Sequence, residues 1–294
     1  MQDLANKVVF ITGGVSGLGL GIARAFAAVG AKVVVTYMRE AHRDQALEQL
    51  EDARDRVHAL KLDVTDRAGF ARAADEAERV FGNVQVLVNN AGVNVFGPMD
   101  EATYEDWDWI LGVNLGGAIN GIVTFIPRMK AHREDAHIVN VASMAAIITG
   151  PMAGIYTTSK FGLRGLSECL RDCLKPHGIG VSVYCPGLVK SNIGEATLNR
   201  PAHLAHSGFK VDAATMKFWN ELHSPGMDPL EAGQAVVRGV LRNDNYIFSH
   251  PEHRQDIEEI FRDLLAALPE GEADPARLAV EEARRAELNA IRGR

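Results

Sequence analysis

The sequence predicts an α/β fold: a single-domain, doubly wound parallel sheet of about seven strands, with helices on both faces and a helical C-terminal arm. Three observations predict it. From residue 7 to about 250, short β-branched runs alternate with longer stretches whose apolar residues recur at three- and four-residue spacing. Each run is apolar at nearly every position, as strands buried on both faces are. Strict β-α-β alternation then requires right-handed crossovers and helices on both sides of the sheet.

In chain order, the strand-like runs are Val8–Thr12, Val33–Thr36, Val57–Leu62, Val84–Asn89, Ile138–Ala142, Val181–Cys185 and Tyr246–Ser249. Helical patterns cover Gly17–Val29, Ala41–Arg54 and Arg67–Phe81, and a longer one, Thr103–His132, joins the fourth and fifth strands. An insertion, Lys190–Asp228, follows the sixth strand and mixes Phe209, Met216, Phe218 and Trp219 with Gly and Pro. A segment that long inside a compact domain is usually functional, so it is expected to be a substrate lid. Residues 1–250 therefore form the domain, with 190–228 as the lid, and 251–294 form a polar helical extension too poor in apolar residues for a core of its own.

Composition narrows the function. A net charge of −7 over 294 residues offers no electrostatic footprint for nucleic acid. No uninterrupted apolar run reaches the ~18 residues of a bilayer span, so no membrane partner is expected. The N-terminus runs straight into a strand without signal-peptide architecture, which points to a cytoplasmic protein. The three cysteines, Cys169, Cys173 and Cys185, are too few for a disulfide framework; the first two read as small core or interface residues. The histidine pairs His203/His206 and His250/His253 lack matching ligands, so no metal is expected. Trp107 and Trp109 read as helix-packing or subunit-contact residues.

The first strand leads into Thr12-Gly13-Gly14-Val15-Ser16-Gly17-Leu18-Gly19. Glycines at a strand-to-helix turn let the backbone approach a ligand, and the helix N-terminus behind them offers free N–H groups to a pyrophosphate. The spacing is G-x-x-x-G-x-G, unlike the usual G-x-G-x-x-G dinucleotide fingerprint. Further on, Tyr156 and Lys160 lie four apart, on one face of a helix. Ser143 follows the fifth strand, at the sheet edge where open α/β folds bind ligands.

With Asp63 after the third strand, Asn89-Asn90-Ala91-Gly92 after the fourth, Asn114 and Pro186-Gly187, these motifs occur in one order over about residues 5–250. The pattern resembles the classical short-chain dehydrogenase/reductase family, whose sheet is a Rossmann fold. The resemblance implies a catalytic set of Asn114, Ser143, Tyr156 and Lys160, interconverting a small-molecule secondary alcohol and a ketone. It implies a dinucleotide held by Gly13, Ser16, Gly17, Leu18, Gly19, Tyr37, Arg39, Asp63, Val64, Asn90, Ala91, Gly92, Tyr156, Lys160, Pro186, Gly187, Val189 and Ser191. It also implies that Asn89–Gly92 braces the sheet, that the loop after Pro186-Gly187 flanks the nicotinamide, and that Asn114 orders a water relaying protons to Lys160. Ser191 stands where the family often has Thr.

The chemistry suits these residue types. An unperturbed phenol titrates near 10, too high for efficient exchange at neutrality, and a nearby Lys160 cation would lower it. Ser143 can stabilise the charge forming on the substrate oxygen. The second strand ends at Val35-Thr36-Tyr37-Met38-Arg39-Glu40, where NAD-preferring enzymes commonly place a carboxylate against the ribose. With Tyr37 there and Arg39 following, NADP(H) is the expected preference and NAD(H) the alternative. The Thr103–Met129 stretch and the Lys190–Pro201 run also look like the lignin β-aryl-ether Cα-dehydrogenases, so an NAD-dependent benzylic alcohol dehydrogenase is the alternative function. A non-catalytic dinucleotide-sensing regulator would have no need of Ser143, Tyr156 and Lys160 together. An extended-branch epimerase or dehydratase usually carries G-x-x-G-x-x-G, which this chain lacks. Finally, Thr103–His132 and Gly154–Pro176 carry apolar residues on more than one face, and the resemblance suggests that they pair across a two-fold axis in a homodimer or homotetramer.

Overall fold

A computed structural model describes residues 1–191 and 193–293; Asn192, within the predicted lid, and the terminal Arg294 lie outside the described residues. Strands β1 (Val8–Ile11), β2 (Lys32–Tyr37), β3 (Val57–Lys61), β4 (Val84–Asn89), β5 (Ala136–Val141), β6 (Ile179–Tyr184) and β7 (Tyr246–Ile247) form one parallel sheet in the order β3-β2-β1-β4-β5-β6-β7. Between and after them run helices α1 (Gly17–Ala28), α2 (Glu40–Gln49), α3 (Arg67–Phe81), α4 (Tyr104–Leu111), α5 (Gly117–His132), α6 (Gly154–Leu174), α7 (Ala213–His223), α8 (Pro229–Arg242), α9 (Arg254–Ala266) and α10 (Pro275–Arg292). The order reverses between β1 and β4, and such a switch point is where open α/β sheets bind their ligands.

Alternation along the strands divides the core in two. Val9 and Ile11 of β1 face a cluster with Ile22 and Phe26 of α1 and Val236 and Val240 of α8. Val8 and Phe10 face the other way, against Phe70 of α3 and Phe125 and Met129 of α5, with Phe10 and Phe125 ring centroids 4.9 Å apart. Strands buried on both sides have no polar face, and this is why their runs read as continuous apolar segments.

The elements depart from sequence expectation in three places. Helix α2 stops at Gln49, because Leu50 leaves helical geometry to bury in the first cluster, and a 3₁₀ segment, Glu51–Arg56, replaces its expected last turns. Strand β7 keeps only two residues: Ser249 and His250 turn instead to side-chain bonds with Tyr184 and Gly187. The long helix is continuous from Tyr104 to His132 but carries one π-turn, Gly112–Gly116. At 29 residues, with an 18-residue stretch of mean hydropathy 1.6, it is long and apolar enough to cross a bilayer, because its few polar residues interrupt the apolar runs without lowering their average. Here its buried face packs on the sheet, while Ile119 and Val123 remain exposed, as does Phe161 of α6. Cys169 and Cys173 are exposed on α6, which excludes the core half of the core-or-interface expectation, whereas Cys185 is buried just past β6.

The C-terminal extension divides its roles. Ile257 and Ile260 of α9 pack over Ala142, Met144, Val183 and Cys185 at the sheet edge. Helix α10 returns to α6, where Arg292 grips Asp172 and Lys175 donates to the Ile291 carbonyl.

Candidate active site

The first turn is built for close backbone approach. Gly13 takes φ +62°, its amide donates to the Thr36 hydroxyl at 3.1 Å, and a Cβ on Gly19 would sit 2.1 Å from the Gly13 carbonyl oxygen. Ser16 precedes α1 without capping it through its side chain, and the first helical turn holds no acid, so hydroxyl and amides alike face the cavity mouth. That donor set and that cradle fit a pyrophosphate. Thr12 ties the turn to the next strand: its hydroxyl accepts from the Asn90 and Ala91 amides, while Asn90 Nδ2 donates to the Thr12 carbonyl at 2.9 Å. The expected bracing by the Asn-Asn-Ala-Gly stretch thus has a mechanism, completed by a buried Asn89–Asn140–Ser167 chain from β4 through β5 to α6.

Every site residue expected from sequence, except Asn114, lines one cavity of about 1010 Å³ along the C-terminal edge of the sheet. Its two ends differ in character. Tyr37, Arg39 and His42 sit beyond the glycine turn. There Arg43 donates to the Tyr37 hydroxyl and lies over its ring, and Glu40 is engaged by Arg43 and Lys61, leaving Arg39 with no ionic partner among the described residues. Asp63 accepts from the Thr65 amide and hydroxyl.

At the other end Ser143, at the start of a 3₁₀ turn after β5, faces Tyr156 and Lys160 of α6. Burial pushes the Tyr156 phenol above its usual range, against the Ser143 hydrogen bond that draws it down. Burial also pushes the Lys160 ammonium down to about 8. Lys160 Nζ donates to the Val141 carbonyl at 2.9 Å and stands 5.4 Å from the Tyr156 ring centroid. The expectation of a phenol below its usual range is therefore corrected for the free protein: burial outweighs the Ser143 hydrogen bond that draws it down.

Asn114 stands behind this wall, within the π-turn. Its amide exchanges two hydrogen bonds with the Val93 backbone, at 2.8 and 3.0 Å, and donates to Ser159, whose hydroxyl donates to the Tyr156 carbonyl at 2.6 Å. Its side chain is thereby spent on holding the first turn of α6 against β4.

The insertion closes the cavity, and its two halves are held differently. Residues 193–209 are clamped on α4: Arg200 pairs with Asp106 at 2.7 Å, both side chains nearly inaccessible, and lies over the Trp109 ring. Burial alone would raise the Asp106 carboxyl, but the Thr103 amide, Arg200, Ser207 and the Gly208 amide together hold it below the usual range. Helix α7 instead packs on the 3₁₀ segment Ile193–Asn199, with Asn220 donating to Glu195 at 3.2 Å and Thr197 to the Met216 sulfur. It reaches across the cavity through Trp219, stacked on Phe96 with centroids 3.7 Å apart. The ends of the insertion meet in a Val189–Met227 bridge. Phe96, Trp109, Trp219, Glu252 and His253 also line the cavity. Trp219 belongs to the expected lid, but the other four give no sign of this role in the sequence: Trp109 gives a helix-packing signal, which is also true of it, and the boundary at 250 divides the site from its last two members.

A switch-point cavity with a glycine turn at one end and a Ser-Tyr-Lys group at the other defines a dinucleotide-dependent oxidoreductase of alcohols and ketones. The chain belongs to the short-chain dehydrogenase/reductase family. The family model for short chain dehydrogenases matches residues 7–201. A C alpha-dehydrogenase from Sphingobium sp. (strain NBRC 103272 / SYK-6) is 42% identical, over 96% of this chain and 93% of that protein. Among solved structures, a short-chain dehydrogenase from Novosphingobium aromaticivorans superposes with a TM-score of 0.86 at 39% identity, covering 99% of both chains. A Burkholderia phymatum family member, solved in complex with NAD, gives a TM-score of 0.84 at 30% identity, covering 93% of this chain and 100% of that one. With enzyme class and family settled, the sensing-regulator and epimerase alternatives fall away.

Proposed function

We propose that this enzyme interconverts a benzylic alcohol and an aryl ketone. The observation that carries the reading is the aromatic wall of Trp109, Phe96 and Trp219 on the cavity that also holds Ser143 and Tyr156. The likeness to a C alpha-dehydrogenase along nearly the whole chain supports it. When bound, the nicotinamide supplies or accepts the hydride. The protein's part is to hold the substrate oxygen with the Ser143 hydroxyl, and to move a proton between that oxygen and the Tyr156 phenol. Lys160 holds a cation beside the phenol, and Asn114 fixes the helix turn that carries it. A turnover screen of purified protein against aryl and alicyclic alcohols and ketones, with both nicotinamide cofactors, tests the reading. Faster turnover of alicyclic substrates would overturn it.

If α7 closes over the substrate as a lid, Trp219→Ala should raise KM for bulky aryl substrates more than for small ones. Amide exchange over Ala213–His223 should slow when cofactor and substrate bind together. Unchanged exchange would make the segment a fixed cover.

For the cofactor we propose NADP(H) over NAD(H). The end of β2 brings Tyr37 and Arg39 to the cavity in the place of a carboxylate, and a guanidinium meets a 2′-phosphate with charge-assisted bonds worth about 1.5–3 kcal/mol, or about 10- to 150-fold in preference. Arg39→Ala should lose most of that preference, and Tyr37→Asp should shift it toward NADH, read as the ratio of kcat/KM for the two cofactors. The NAD-bound Burkholderia neighbour favours the opposite reading, and an equal or better kcat/KM with NADH would establish it. The exposed Ile119, Val123 and Phe161 suit pairing of α4–α5 and α6 with a second copy, as a dimer or a dimer of dimers. A monomer by sedimentation at micromolar concentration would exclude this.

A further inference from the structure

We propose that His250 is a positioning residue: as a neutral imidazole protonated on Nε2, it holds the Pro186–Val189 loop against the reacting end of the cavity. This rests on the reading of that loop as the wall beside the nicotinamide. His250 is 7% exposed and lies just past β7, 63 residues beyond the loop it touches. The Gly187 amide donates to its Nδ1 at 3.0 Å, and its Nε2 lies 3.0 Å from the Leu188 carbonyl oxygen. One ring thus meets a backbone donor on one side and a backbone acceptor on the other.

Only one protonation state satisfies both. Nδ1 must present a lone pair to the Gly187 N–H, so the proton sits on Nε2 and is donated to Leu188. Ser249 is compatible with the same state: its hydroxyl lies 2.8 Å from Nδ1 and 2.9 Å from the Tyr184 hydroxyl, and can share the single Nδ1 lone pair with the Gly187 amide in a three-centre bond while accepting from the phenol. An Nδ1–H tautomer would set two hydrogens against each other at Gly187 and two lone pairs at Leu188. The sequence carries a matching sign: a Cβ on Gly187 would lie 2.8 Å from the His250 ring and 2.7 Å from His253 Nε2, so glycine is what lets the ring reach the loop.

The loop so held also touches the catalytic group. The Met144 amide, next to Ser143, donates to the Pro186 carbonyl at 2.8 Å, and the Leu188 carbonyl accepts from the Met227 amide at the foot of the insertion. A shift of the loop therefore reaches both Ser143 and the cover. Misplacement of about 1 Å in such a site can cost about 10²-fold in rate.

The test compares His250→Phe, which keeps a ring and loses both nitrogens, with His250→Asn, whose Oδ1 can still accept from Gly187. Imidazole nitrogen shifts of the wild-type protein at neutral pH should place the proton on Nε2. His250→Phe should speed Gly187 amide exchange at least about tenfold while β6 stays protected, and lower kcat by about 10²-fold with a smaller change in KM. His250→Asn should restore Gly187 protection and most of kcat. A proton on Nδ1, a doubly protonated ring, unchanged Gly187 exchange in the Phe variant, or an Asn variant no better than Phe would each overturn the proposal. Should His250→Phe fail to fold, the wild-type tautomer and the Asn variant decide the matter. The tautomer and exchange measurements need no turnover, so an error in the proposed substrate would show only in the kinetic arm.

Discussion

Tyr156→Phe is expected to lower kcat by about 10²- to 10⁴-fold while leaving cofactor affinity nearly unchanged. The substitution removes one oxygen. The ring, its place over Lys160 and the helix turn fixed through Ser159 and Asn114 all remain, so the loss reads the transferable proton alone. Ser143→Ala should cost a comparable factor, because the same oxygen loses its hydrogen-bond donor and the phenol loses the neighbour that draws its pKa down. Lys160→Ala should in addition weaken cofactor binding. Steady-state kinetics with a parallel cofactor titration separates the three. Activity above a tenth of wild type in Tyr156→Phe would remove it as the acid–base group.

The largest stability effect is expected at Arg200. Asp106 is fully buried and Arg200 is 6% exposed, and breaking a buried pair by removing one partner costs about 3–5 kcal/mol, since the other charge stays behind. Arg200→Met keeps the apolar stem over Trp109 and strips the charge, and the donors that remain on Asp106 from Thr103, Ser207 and Gly208 place the cost at about 3 kcal/mol. The sign with pH follows from the depressed carboxyl. The pair's contribution is present above about pH 4, where Asp106 is ionised even in the unfolded chain, and is lost as pH falls through the lower value of the folded state. Denaturant titrations at neutral and acid pH should show the two proteins converging in acid. A difference below about 1 kcal/mol at neutral pH would mean that residues 193–209 are held by other contacts.

The sheet was legible because its chemistry is local. The central strands, buried on both faces, must be apolar at successive positions, and the glycine turn and the Tyr156–Lys160 spacing each fit within one helical turn or one loop. What escaped depends on partners far apart in the chain. Arg200 meets Asp106 across 94 positions and His250 meets Gly187 across 63, and nothing in either neighbourhood announces the other. Helix α2 shortened because burying Leu50 outweighed a helical pattern that continued past it. Trp109 was read as packing and proved to do that and line the cavity too, a double duty that periodicity cannot separate. The phenol's titration differs from expectation for a related reason: spacing puts Lys160 beside Tyr156, but only the fold shows the burial that pushes the phenol up.

The bridge between Val189 and Met227 closes the insertion on itself, with the Lys190 amide bonded to the Met227 carbonyl and the Met227 amide to that of Leu188. Entry and exit of the segment are thus one place on the scaffold, and between them the Arg200–Asp106 pair fastens its first half to α4. Such a segment behaves as a cassette with two fastenings. Its length can change at a cost that grows only logarithmically with the number of residues, because the closure is already made at its base, but its content must keep a cation for Asp106. Transplanting residues 193–226 between family members that share this pair should therefore carry substrate range with it and leave the cofactor half of the cavity as it was.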